Sequence, residues 1–184
     1  MINLQDIFPA SDKPVNKALT ALLALVAFSL PFKFLVNAFI VLALLMWLSS
    51  GSFKLLFKKN KFTKVLLATT IFYLLHALAF LYASNIQESF FSLEVKLSMF
   101  IFPFIFYTGN YTWPQMKFFL KAFVLGNILM CVLCLGRATF ITMNGTENYF
   151  FYEHLSWFQH PSYLSMYLTF SCVALLQKKM FGKL

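Results

Sequence analysis

Lys54-Leu-Leu-Phe-Lys58-Lys59-Asn60-Lys61-Phe-Thr-Lys64 runs straight into Val65-Leu-Leu-Ala-Thr-Thr-Ile-Phe-Tyr-Leu-Leu-His-Ala-Leu-Ala-Phe-Leu-Tyr-Ala-Ser84. A lysine-rich loop against an uncharged apolar run is the pattern of a helix that enters a bilayer from its basic side. About 20 apolar residues cross a hydrocarbon core of roughly 30 Å, with a working range of about 17–25. Working outward from this stretch, five further runs are candidates: Lys17–Phe32, Phe34–Ser50, Phe90–Tyr107, Phe118–Phe140 and Pro161–Gln177. The first and last are short and need help from their flanks.

Threading the chain in and out through these runs separates its charge. One side receives Lys13, Lys17, Lys54, Lys58, Lys59, Lys61, Lys64, Lys117, Lys121, Lys178, Lys179 and Lys183. The other receives Lys33, Lys96 and Arg137, and these twelve and three account for all fifteen basic residues. Basic loops stay cytoplasmic. The expectation is an all-α, polytopic transmembrane helix bundle of about six spans with both termini in the cytoplasm.

Composition agrees. Sixty per cent of residues are hydrophobic and 11% charged, against roughly 45–50% and 25% in soluble domains. The net charge of +9 sits in loops between apolar runs, where it suits anionic lipid headgroups rather than nucleic acid. The polar Met1–Pro14 segment and the missing small-residue cleavage site predict that the first run stays as a helix. There is no internal repeat.

Ala18 to Ser50 as one helix would be about 50 Å long, too long for one crossing. Pro31-Phe-Lys33 interrupts it, and proline disfavours helix in the residue before it. A tight hairpin is expected there. Ile86, Phe90, Leu93 and Leu97 recur at helical spacing, with Glu88, Ser92 and Lys96 on another face. An interfacial amphipathic helix leading into the fourth run fits this. Pro103 is expected to kink that run, and Thr108–Gln115 reads as a polar turn. Gly126 and Gly136 permit close helix contact in the fifth run.

Each residue able to do chemistry has a plain reading beside a sharper one. Cys131-Val-Leu-Cys134 has C-x-x-C spacing but lies mid-run with no second pair, so small apolar packing is favoured over metal or redox chemistry. His76 reads as a neutral histidine bonded to a neighbouring helix. Glu94 and Lys96, roughly 200° apart around a helix, are interfacial anchors or line a lateral opening for a lipid-linked substrate. Arg137 near the outer end of the fifth run either snorkels to headgroups or binds phosphate bidentately. His154 and His160 are candidate bases, but their spacing matches no zinc motif. Asn110-Tyr-Thr112 and Asn144-Gly-Thr146 fit the glycosylation pattern, which is short enough to arise by chance.

Two segments carry a resemblance: Leu93-Glu94-Val-Lys96-Leu97-Ser98-Met-Phe-Ile-Phe102-Pro103, and His160-Pro161-Ser162-Tyr163-Leu164-Ser-Met-Tyr167-Leu168. Both resemble recurring segments of O-antigen ligase and polymerase-like membrane proteins of Bacteroidetes type, in the same order. The resemblance covers most of this chain but only the first half of such a protein. It implies a metal-independent, cofactor-free glycosyl transfer at the outer face of the bacterial inner membrane. A glycan leaves undecaprenyl pyrophosphate for an acceptor sugar, on lipid A–core or on a growing repeat. Such chemistry needs cations on the leaving pyrophosphate and a base for the acceptor hydroxyl. On this resemblance His160 is the catalytic candidate, with Arg137, Glu94 and Lys96 as substrate-binding candidates.

The family's large periplasmic loop, with its main catalytic His and Arg residues, follows later in such proteins. The expectation is therefore a chain truncated relative to the family and not catalytic alone, with a second polypeptide able to supply the C-terminal half. The rival expectation is a self-contained six-span transporter subunit or non-catalytic membrane partner. Only His76 and Pro103 are midplane features of the transporter kind.

Overall fold

Every long apolar run of the sequence becomes a helix. The computed structural model describes residues 4–9, 13–58, 63–83, 85–145 and 149–176. Among these the helices in chain order are α1 (Leu4–Ile7), α2 (Pro14–Ser29), α3 (Lys33–Ser49), α4 (Lys54–Lys58) and α5 (Lys64–Phe80). They continue with α6 (Ile86–Gly109), α7 (Trp113–Asn144), α8 (Tyr152–Leu155) and α9 (Pro161–Leu176). No strand occurs among the described residues. The protein is all-α.

The break between α2 and α3 falls at Leu30–Phe32, where the Phe32 N–H donates to Ser29 O at 2.8 Å. The amphipathic segment and the fourth apolar run form one helix, α6, which continues through Pro103. Asn85 starts it, its side-chain oxygen accepting from the Gln87 and Glu88 N–H groups at 3.2 and 3.4 Å. Asn110 ends it in the left-handed region at φ 46°, a conformation asparagine tolerates better than most residues. The turn expected over Thr108–Gln115 is shorter than its polar sequence suggests, because α7 already begins at Trp113. Pro114 takes a first-turn position there, where its missing N–H costs nothing.

The chain divides into two compact units, Met1–Ala43 with Thr112–Leu184, and Leu44–Tyr111. In the first, α2 and α7 pack along their length. Ile7 and Phe8 lie against Gln115 and Phe118, and Phe28 and Phe32 against Gly126, Met130 and Cys134. The two helices therefore run parallel, which brings the basic first turns holding Lys17 and Lys117 to one end of the unit. α9 runs the other way: Leu164 meets the Met130–Cys134 cluster, while Tyr167, Phe170 and Ala174 meet Phe123.

Gly126 makes the α2–α7 approach possible. A methyl group there would meet the Phe28 main chain, first its carbonyl oxygen and then its carbonyl carbon. The lower end is held by Gln115, which is buried. Its Oε1 accepts from the Thr112 N–H at 2.8 Å, and its Nε2 donates to Ile7 O at 3.0 Å. One side chain thus caps α7 and ties down α1.

In the second unit α5 packs on α6, with the Tyr73 ring stacked 5.0 Å from that of Phe100. The Trp47 indole donates to Thr108 Oγ1 at 2.8 Å, and that hydroxyl donates onward to Phe104 O at 2.8 Å. A buried indole N–H and a buried hydroxyl thereby satisfy each other. Burial pushes the Tyr111 phenol well above its ordinary pKa.

Among the described residues α7 alone is long and apolar enough to cross a membrane. Its 32 residues span about 48 Å. The other apolar helices are shorter: α2 and α9 have 16 residues and α5 has 17, or about 24–26 Å.

Candidate functional site

The end of the first unit away from the lysines is built from the last turns of α7, the segment around α8 and the start of α9. Helix α7 frays at Asn144, whose side chain folds back to donate to Phe140 O at 2.8 Å. The chain then returns, and the Tyr149 N–H donates to Thr142 Oγ1 at 3.2 Å. Tyr152 opens α8 with a positive φ of 50°, a left-handed conformation that non-glycine residues rarely adopt. Two long-range contacts hold the segment in place. The Gln159 Nε2 donates to Leu30 O at 2.8 Å, and the Phe158 ring meets Phe32 edge-on at 5.6 Å.

Arg137 lies beneath this segment. Its Nη1 donates to His154 O at 3.1 Å. The guanidinium carbon lies 4.7 Å from the Trp157 ring centroid and 5.7 Å from that of Tyr149. Guanidinium is planar and permanently charged, and its faces suit aromatic rings while its N–H groups point outward in the plane. One N–H meets the His154 carbonyl, and the fork of the group suits further acceptors lying in that plane. Tyr149 is in turn packed edge-on against the His154 ring at 4.9 Å.

His160 sits at the N-cap of α9. Its Nδ1 accepts from the Ser162 N–H at 3.3 Å, so the ring does what asparagine or serine commonly does at a helix start. Tyr152 and Tyr163 lie edge-on to it at 6.4 and 6.5 Å. Of the four candidates, Arg137 and His160 therefore belong to the same end of one unit, joined by a short, anchored segment. Glu94 and Lys96 belong to α6 in the other unit. Lys96 is half-buried, and the Glu94 side chain lies outside the described residues.

His76 finds its partner on its own helix rather than on a neighbour: its Nδ1 lies 2.9 Å from Phe72 O, and its ring packs on Phe72 at 4.3 Å. Cys131, Cys134 and Cys172 are free thiols, and Cys134 is buried with its Sγ 4.0 Å from Met130 Sδ. Among the described residues no group of three or more His, Cys, Asp or Glu is positioned to hold a metal ion. Comparison with protein-family models, with curated proteins and with solved structures finds no match to this chain.

Trp157 and Tyr149 are the residues that sequence reasoning left without a role. They lie 20 and 12 positions from Arg137, and nothing in that spacing signals contact. Together with the arginine they form a cation packed against two aromatic rings. That arrangement suits a phosphate or pyrophosphate oxygen.

Proposed function

We propose that the chain is a multi-pass protein of the bacterial inner membrane that forms the N-terminal helices of an O-antigen ligase-like glycosyltransferase. Its Arg137 clamp holds the pyrophosphate of an undecaprenyl-linked glycan at the outer face. The observation that carries this reading is the guanidinium packed against the Trp157 and Tyr149 rings and bonded to His154 O. A cation fixed in this way stabilises charge that builds up on a leaving pyrophosphate, without reorganising during the reaction. The base for the acceptor hydroxyl comes from the family's later periplasmic loop, beyond this chain or on a second polypeptide.

Several features support embedding in lipid. On α5 the side chains of Val65, Leu67, Ile71, Leu74, Leu75 and Leu78 all point outward. Hydroxyls turn back onto their own helices: Thr69, Thr139 and Thr169 donate to the carbonyls of Val65, Leu135 and Ser165 at 2.8–3.1 Å. In hydrocarbon no water is available, so polar groups must be satisfied within the helix. The shorter helices reach the interfaces by local thinning of the bilayer and by lysine snorkelling. The basic ends of α2 and α7 then lie on the cytoplasmic side, and Arg137 on the outer side.

The test is Arg137→Ala and Arg137→Lys in the producing cell. Both lower surface glycan transfer while membrane levels of the protein hold, because lysine cannot reproduce the stacked planar group. Normal glycan in both variants would sink the reading. A reporter fused in the Lys54–Lys64 loop gives a cytoplasmic signal; a periplasmic one would overturn the orientation.

A further inference from the structure

We infer that His160 serves this site as a neutral hydrogen-bond donor through Nε2–H, and not as a proton-accepting base. The inference rests on the phosphate reading of the Arg137 clamp, and it names the group on the phosphate's second side.

Pro161 opens α9 and has no N–H, so the Ser162 N–H is the first backbone donor of that helix. The His160 ring takes it, with Nδ1 accepting at 3.3 Å. An acceptor nitrogen carries no proton, so the neutral ring holds its hydrogen on Nε2. The backbone around the ring is pinned as well. His160 O accepts from the Tyr163 N–H at 3.0 Å and the Leu164 N–H at 3.3 Å. The rings of Tyr152 and Tyr163 lie nearly perpendicular to it at 6.4 and 6.5 Å.

Base chemistry conflicts with this arrangement at either nitrogen. Proton uptake at Nδ1 requires release of the Ser162 N–H. Proton uptake at Nε2 requires the other tautomer, which sets Nδ1–H against the Ser162 N–H, donor against donor. Hydrogen-bond donation from Nε2 disturbs nothing. His160 lies three positions after Trp157, on the anchored segment that covers Arg137. A neutral N–H presented from that same segment supplies a second donor for an anionic phosphate oxygen, with the cation carrying the charge and the imidazole fixing orientation.

The experiment uses the full chain in lipid nanodiscs, labelled with nitrogen-15 at histidine side chains, with His160→Asn identifying the resonance. Side-chain nitrogen NMR then reads the tautomer directly. The expected result is a neutral, Nε2-protonated His160 whose Nε2–H signal moves on adding farnesyl pyrophosphate. An Nδ1-protonated ring would overturn the inference, whatever the protein binds. An Nε2–H ring that ignores farnesyl pyrophosphate, when that probe still binds in an Arg137-dependent way, would overturn it too. If the probe binds neither the chain nor its Arg137→Ala variant differently, the phosphate reading itself fails, and the ligand proposed for His160 falls with it. Affinity supplies the second arm. Asparagine keeps an acceptor for the Ser162 N–H and lacks the Nε2 donor, so His160→Asn stays folded and binds farnesyl pyrophosphate about tenfold more weakly. Unchanged affinity would refute the donor role.

Discussion

A methyl group added at Gly126 tests the packing on which the site depends. The position lies where α7 crosses the C-terminal turn of α2, and it is buried. The added Cβ would sit 2.9 Å from the Phe28 carbonyl carbon and 3.2 Å from its Cα, with the carbonyl oxygen nearer still. Those are main-chain atoms, which cannot rotate away as a side chain can. Overpacking against main chain that cannot give way falls in the upper part of the usual range, about 2–3 kcal/mol. Replacing glycine by alanine inside a helix returns up to about 1 kcal/mol. The net expectation for Gly126→Ala is a loss of about 1–2 kcal/mol. Gly136, ten residues along the same helix, has nothing within 4 Å of its would-be Cβ. Gly136→Ala therefore keeps the propensity gain without the clash. The protein's own thiols report unfolding, since Cys134 is buried and free. A fluorogenic maleimide added during a thermal ramp of the detergent-solubilised protein reacts as that thiol becomes exposed. At about 2–4 °C per kcal/mol for a chain of this size, the Gly126→Ala midpoint falls by about 2–8 °C. Gly136→Ala stays level or rises. Equal shifts for the two variants, or no fall for Gly126→Ala, would refute the close α2–α7 approach.

Gln115→Ala removes both the acceptor for the Thr112 N–H and the donor to Ile7 O. It should cost about 1–3 kcal/mol and release α1, read as faster amide exchange in the Leu4–Ile7 segment; unchanged protection there would show that Gln115 does not hold it. Tyr111 predicts an alkaline limit. Its phenol is neutral in the fold, and burial raises its pKa above the ordinary phenol value of about 10. The unfolded chain therefore gives up that proton first, so the stability from burying the neutral ring is complete below pH 10 and is lost as pH rises above it. Ultraviolet absorbance at tyrosinate wavelengths should show a late-ionising component that Tyr111→Phe loses. A Phe variant with the same titration curve and the same alkaline unfolding as the parent would count against this.

The helices were legible because their cause is local. An uninterrupted apolar run of this length, with few glycines or prolines inside it, leaves the backbone little choice but to bond to itself. Each of the six runs coincides with a helix to within a few residues. The larger differences arise where capping chemistry outweighs hydropathy. Asn85 caps α6 five residues before the apolar run at Phe90, where the spacing of Ile86, Phe90, Leu93 and Leu97 already called for an amphipathic helix. Thr112, Pro114 and Gln115 start α7 at Trp113 instead of Phe118, in a stretch whose polar composition reads as a turn. His76 could be seen to need a partner, but not that the carbonyl four residues back on its own helix would supply it.

The site divides along the same line. Sequence alone determined that the protein is helical, that its basic residues gather in particular loops, and that Arg137 and His160 are scarce groups close to apolar boundaries. It did so because periodicity, chain stiffness and the cost of an unpaired polar group act over a few residues. Only the tertiary structure decided what covers Arg137. That cover depends on a segment 12–20 residues away being tied back by Gln159 to Leu30 and by Phe158 to Phe32. Contacts of that kind depend on where packing brings distant parts of the chain together, and no spacing within a single element encodes them.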